Sequence, residues 1–187
     1  MDRYHLFETA YGHAAIAWNA RGVTSFRLPG ASVEESRRSL LRRLAGAVEA
    51  EPSGAVATLV EAARRYFAGE RVELADVPLD LGRQEPLYEK IYDLVRGLRW
   101  GETTTYGEIA KRLGEGPEVA RDVGQAMARN PIPLFVPCHR VLAAGGRIGG
   151  FSAPGGAGAK ARMLEMEGSL PAQASPSIPA AQSSFGF

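Results

Sequence analysis

The sequence predicts an α/β chain in two halves: a small antiparallel sheet with helices, then a helix-turn-helix half. Three observations carry this. The first third holds short runs rich in β-branched and aromatic residues, separated by glycines. Residues 103–129 read as two short helices joined by a glycine turn. Between the halves, residues 77–85 (VPLDLGRQE) have turn residues and no period, as a linker does.

Each element has a local reason. Residues 4–9, 14–19 and 23–28 are the three strands, with Gly12 and Gly22 in the turns. Ser32 followed by Glu35 is a capping-box pattern, and Leu40, Leu41 and Leu44 give the next helix an apolar face. A second helix is expected over 56–67, stopped by Gly69. Pro86 opens a third, with Leu87, Ile91, Leu94 and Leu98 as its buried stripe. Thr105 and Glu108 form another capping box, and Ile109, Ala110 and Leu113 face inward. Pro117 restarts a helix to Arg129, which Asn130-Pro131 ends. The expected units are residues 1–76, the linker 77–85, residues 86–168, and a flexible tail over 169–187, which lacks any charged side chain.

Composition narrows the function. With 45% hydrophobic and 23% charged residues, most of the 187-residue chain should fold around a core. A net charge of +1 excludes a polybasic or acidic tail protein, though not a local basic groove. The one cysteine, Cys138, excludes an intrachain disulfide and a thiolate zinc cage, and three histidines leave little for a metal site. No run is long and apolar enough for a membrane span, and no signal peptide is read. A cytoplasmic setting is the expectation.

Two stretches carry chemistry. In the second helix of the pair, Val119, Val123 and Met127 recur at four-residue spacing and face inward. Arg121 lies about 200° around the axis from Val119 and points outward. Ala120 and Gly124 are small, so a nucleic-acid backbone could approach closely, although a solvated arginine on an ordinary surface helix fits the same pattern. Residues 130–141 (NPIPLFVPCHRV) hold three prolines in seven positions. They read as a stiff, extended, buried segment that presents Cys138 and His139. A structural thiol is the ordinary state of a lone cysteine. Prolines up to the sulfur and an imidazole beside it suit a nucleophile. Adjacent side chains in extended chain point to opposite faces, so a water relay between them is more natural than contact. Gly145-Gly146 and Gly149-Gly150 suggest a hairpin and then a loop that could wall a pocket. Glu167 closes the last helix before Gly168.

Together, GETTTYGEIAKRLG, ARDVGQAMARNP, IPLFVPCHRV, GGRIGGFS and the K-x-x-x-L-x-x-E-G from Lys160 to Gly168 resemble the O6-alkylguanine-DNA alkyltransferases. The likeness is close over about half the chain. The first half matches only in outline, through its strand–turn–strand start and RRYFAGE. The resemblance implies an N-terminal RNase H-like domain with a three-stranded antiparallel sheet, and a C-terminal domain of winged-helix type. It implies binding to double-stranded DNA containing O6-alkylguanine from the minor groove, nucleotide flipping, and irreversible alkyl transfer to one cysteine without a cofactor or metal. Partners would be DNA and no membrane, the protein acting as a monomer, with cooperative binding along DNA left open.

Residue by residue, the match makes Cys138 the acceptor, His139 the base acting through water, and Glu167 the carboxylate that orients it. Asn130 would tie the active-site turn and Tyr106 would donate a proton to the leaving guanine. Arg121 would be the finger filling the gap in the stack, with Ala120, Gly124, Thr104 and Thr105 also on the DNA. Val141, Phe151, Ser152 and Pro133 would line the substrate pocket. Asp122 and Gln125 depart from the small residues of many relatives, and an acid there weakens DNA binding. The competing reading is a non-catalytic relative that only flags lesions, but those relatives replace the acceptor cysteine. A cysteine hydrolase or a plain helix-turn-helix regulator would explain fewer of these residues.

Overall fold

The structure, a computed structural model, describes residues 1–170, so all but the first two residues of the uncharged tail lie outside it. The chain opens with β1 (Arg3–Thr9), β2 (Gly12–Asn19) and β3 (Gly22–Gly30), an antiparallel meander. After α1 (Val33–Leu41), a two-residue strand, β4 (Val48–Glu49), joins parallel to β1. The sheet order is β3-β2-β1-β4, one short strand more than the three expected. Two exposed residues without alternation leave no sequence signal for β4. Ser32 caps α1 through the Glu35 amide, but the Glu35 carboxylate reaches past the cap to the Ala31 N–H.

One face of the sheet packs on α2 (Gly54–Phe67) through Phe7, Ile16, Phe26, Val60 and Tyr66. The linker does not hang free. Val23 donates to the Pro78 carbonyl and Asp80 donates back to Val23, so residues 78–80 lie along the outer edge of β3. Gly22 is required there, because at φ 148° a Cβ would collide with the Pro78 carbonyl.

The second half begins with α3 (Pro86–Arg96), with proline in its first turn. Its buried stripe is Tyr88, Ile91, Tyr92 and Val95, rotated from the expected one; Leu87 and Leu94 are only half-buried. Tyrosine rings offer more area than leucine, and the Tyr92 hydroxyl still bonds the Ala126 carbonyl at 2.9 Å. Strand β5 (Thr104–Thr105) leads into α4 (Tyr106–Arg112), where Thr105 and Glu108 form a complete capping box. A 3-10 turn over Pro117–Val119 precedes α5 (Ala120–Arg129). Val123, Ala126 and Met127 of α5 bury against α3 and α4, with Val119 half-buried beside them.

Residues 131–137 are buried but not extended, which corrects the expectation. Leu134 sits at φ 77°, a left-handed conformation strained for leucine, and Cys138–Arg140 form a 3-10 turn. Anchors at both ends impose this path. Pro131 accepts from the Phe26 N–H and the Ser25 hydroxyl of β3, and Phe135 meets Phe26 edge-on at 5.3 Å. β6 (Val141–Leu142) pairs parallel with β5, so no strand hairpin forms around the glycines at 145–150. Helix α6 (Gly156–Met166) closes the described chain.

Candidate active site and nucleic-acid interface

The segment between α5 and β6 is held against the sheet, and this sets where Cys138 sits. Asn130, at the end of α5, donates to the Val136 carbonyl at 2.7 Å and accepts from the Ile132 N–H at 3.0 Å. One side chain thus clamps the turn preceding the cysteine. The Cys138 thiol is buried, and burial raises its pKa. The Asn130 amide, the Lys160 cation and nearby backbone N–H groups oppose that rise.

Lys160, which the sequence reading placed in the terminal motif without a role, lies in the wall of the site. It projects from α6, is 1% exposed, and donates to the Val141 carbonyl at 2.5 Å. Its ammonium lies 5.9 Å from the Tyr106 ring centre and 5.8 Å from that of Phe151. Burial lowers its pKa to about 8, against the pull of Cys138, which raises it. Tyr106, Lys160, Phe151, Ser152, Met127 and Cys138 surround a chamber of about 400 Å³. Gly124 of α5 stands in its wall, and no atom lies within 4 Å of where a Cβ would be. The Ser152 hydroxyl bonds the Ala128 carbonyl at 3.1 Å. Pro133 borders an adjoining chamber, and Val141 is buried beneath, bonding Lys160 through its carbonyl.

Behind the cysteine lies a buried polar cluster. His139 Nε2 is 2.8 Å from Glu167 Oε1. The Tyr66 hydroxyl donates to the same oxygen at 2.6 Å. Arg140 adds Nε to Oε2 at 2.8 Å and Nη2 to Oε1 at 2.9 Å, and its Nη1 bonds the Leu98 carbonyl at 2.6 Å. Burial alone would raise the Glu167 carboxyl, but the hydrogen bonds from His139 and Arg140 hold it down to about 2. Burial also keeps His139 below its ordinary pKa. A neutral imidazole facing an ionised carboxylate carries its proton on Nε2, which leaves Nδ1 as the basic atom. Nδ1 is buried and has no hydrogen-bond partner among the described residues.

Tyr66 and Arg140 escaped sequence reasoning. Tyr66 lies in RRYFAGE on the buried face of α2, where a tyrosine reads as core. Arg140 follows the histidine directly, and nothing in its spacing announces a carboxylate 27 residues on.

On the outer surface, Arg121 is exposed on α5, Ala120 and Gly124 are half-buried beside it, and Gln125 is exposed. Asp122 is half-buried. Thr105 caps α4, its hydroxyl engaged with Glu108. Thr104 is buried in β5, and its hydroxyl donates to Glu108 at 3.1 Å.

Residues 86–169 match the family model described as 6-O-methylguanine DNA methyltransferase, DNA binding domain. A methylated-DNA–protein-cysteine methyltransferase of Mycobacterium leprae is 43% identical over 160 residues, 86% of this chain and 88% of its own length. A DNA base-flipping protein of Thermus thermophilus is 43% identical over 121 residues, 64% of this chain and 79% of its own. Among solved structures, the Mycobacterium tuberculosis O6-methylguanine methyltransferase superposes with a TM-score of 0.70 at 34% identity, covering 92% of this chain and 97% of that one. The same enzyme in complex with DNA gives 0.71 at 33% identity, with 91% and 96% covered.

Proposed function

The chain belongs to the methylated-DNA–protein-cysteine methyltransferase family, and we propose that it repairs O6-alkylguanine in duplex DNA by moving the alkyl group once, irreversibly, to Cys138. That it is a DNA-binding methyltransferase follows from the family; the lesion, the flip and the residue roles are the proposal. One observation carries it. Cys138 opens into a chamber walled by Tyr106, Lys160 and Phe151, with the His139–Glu167 pair buried behind it.

A lesion stacked in a duplex cannot reach a buried thiol. The nucleotide has to leave the stack, at a cost of a few kcal/mol. Arg121, exposed on α5, fills the gap from the minor-groove side, while Ala120 and Gly124 let the helix approach. His139 Nδ1 takes the thiol proton through water. The thiolate, supported by Lys160 and the Asn130 amide, attacks the alkyl carbon in line. A sulfur–carbon bond forms as the carbon–oxygen bond breaks, and the electron pair passes to guanine O6. Tyr106 donates its proton to the departing purine and recovers one from the protonated His139 by way of solvent, so the net transfer is thiol proton to guanine. The thioether is a poor leaving group, and each molecule acts once. O4-alkylthymine is the second expected substrate. Binding as a monomer, alone or cooperatively along DNA, fits the same face.

The test is incubation with a duplex containing one O6-methylguanine, then peptide mapping. Methyl on the peptide of Cys138, and none in Cys138→Ser, supports the reading. Tight lesion binding with no methylated peptide identifies a lesion-flagging protein instead.

A further inference from the structure

One long side chain on α5 has no part in the mechanism above. Val123, Ala126 and Met127 are buried and fix the inward direction of the helix. At about 100° per residue, Arg121, Gln125 and Ala128 form the ridge opposite them. All three are exposed, and Arg121 and Gln125 are the ridge's two long side chains. Gly124, in the wall of the Cys138 chamber, lies about 60° to one side of Arg121. Gln125 lies about 40° to its other side. Arg121 therefore stands between the chamber and Gln125.

This order has a consequence on DNA. With the lesion in the chamber and Arg121 in the gap it leaves, Gln125 faces the base pair beside the gap. Residues four apart on a helix have Cβ atoms about 5–6 Å apart. That is less than two base-pair steps of about 3.4 Å each, so the neighbouring pair is within reach. The Gln125 carboxamide makes no hydrogen bond among the described residues, so both its ends are free to bond.

We infer that Gln125 reads the base pair beside the lesion and favours guanine there, so that the rate of repair depends on sequence context. The inference rests on the alkyl-transfer reading above, with Arg121 as the finger. A carboxamide carries an acceptor and a donor side by side. In the minor groove only guanine presents the matching pair, N3 as acceptor and the 2-amino group as donor; the other bases show acceptors alone. Gln125 Nε2 donates to N3, and Oε1 accepts from the amino group. Arg121 cannot make this distinction, because a guanidinium has no acceptor.

The experiment measures single-turnover methyl transfer on duplexes carrying one O6-methylguanine. A guanine is placed in turn at each of the four positions of the two flanking pairs. In matched duplexes inosine replaces that guanine, which deletes only the 2-amino group. The guanine-to-inosine rate ratio is taken for the native protein and for Gln125→Met, which keeps the bulk of this exposed side chain. Comparing the two ratios cancels the difference in how easily the duplexes open. At one position or more the native ratio should exceed the variant ratio about fivefold or more, as for the loss of one bidentate base contact. A smaller difference at all four positions would overturn the inference. So would a uniform loss of rate in Gln125→Met, which leaves the ratios unchanged and is what a phosphate contact would give. No transfer by the native protein from any duplex would instead overturn the alkyl-transfer reading itself. Thermal melting checks that the variant folds.

Discussion

The Tyr66 hydroxyl of α2 donates to Glu167 Oε1 at the end of α6 at 2.6 Å, across 101 residues of sequence. The bond ties the first half of the chain to the carboxylate that holds His139. Glu167 also takes two bonds from Arg140, so a buried anion is matched by fixed donors.

This cluster makes stability depend on pH. The Glu167 pKa is about 2 when folded, against an ordinary value of 4.5. Its contribution is complete above the ordinary value and fades as pH falls toward 2. By the shift it is on the order of 3 kcal/mol. His139, held below 6.5, acts in the same direction, since the unfolded chain takes up its proton first on acidification. Denaturant unfolding from pH 6 to pH 2.5 should show falling stability, with a shallower fall in Glu167→Gln. An equal slope in both proteins would show that Glu167 does not carry this dependence.

Arg121→Ala should slow repair of duplex DNA at least tenfold while reaction with free O6-benzylguanine changes less than twofold, because the free base needs no extrusion. Single-turnover rates on both substrates measure this. Equal losses would remove Arg121 from the finger role.

Tyr106→Phe keeps the ring over Lys160 and deletes the proton donor. Rates on duplex and free base should both fall, by about 10²-fold as for a lost general acid. An unchanged rate on the free base would show that the hydroxyl does not serve the leaving group.

Much of this was legible in the sequence. The three long strands, the capped helices and the rigid approach to Cys138 follow from local chemistry, since caps, turns and proline act over a few residues. The extended reading of residues 131–137 failed because Pro131 and Phe135 are fixed by β3, a contact more than a hundred residues away in sequence. Arg140 and Tyr66 were missed for the same reason: their partner lies 27 and 101 residues off. A role for Lys160 could have been found. It shares the inward face of α6 with Met163 and Leu164 at three- and four-residue spacing, and a lysine on an apolar face needs a reason.

Lys160→Met should reduce methyl transfer at least tenfold. It should also move the rising limb of the pH–rate profile to higher pH, because the cation favours the Cys138 thiolate. In the native protein, the support fades above about pH 8, as Lys160 itself loses its proton. A variant with a lower rate but an unmoved profile would assign Lys160 to packing alone.

The central claim is that Cys138 accepts the alkyl group and keeps it. The most direct measurement mixes the protein with a large excess of O6-methylguanine duplex and follows repaired guanine and intact protein mass together. The account predicts that repair stops at one guanine per protein as the mass rises by one methyl group. Continued repair by protein of unchanged mass would contradict it.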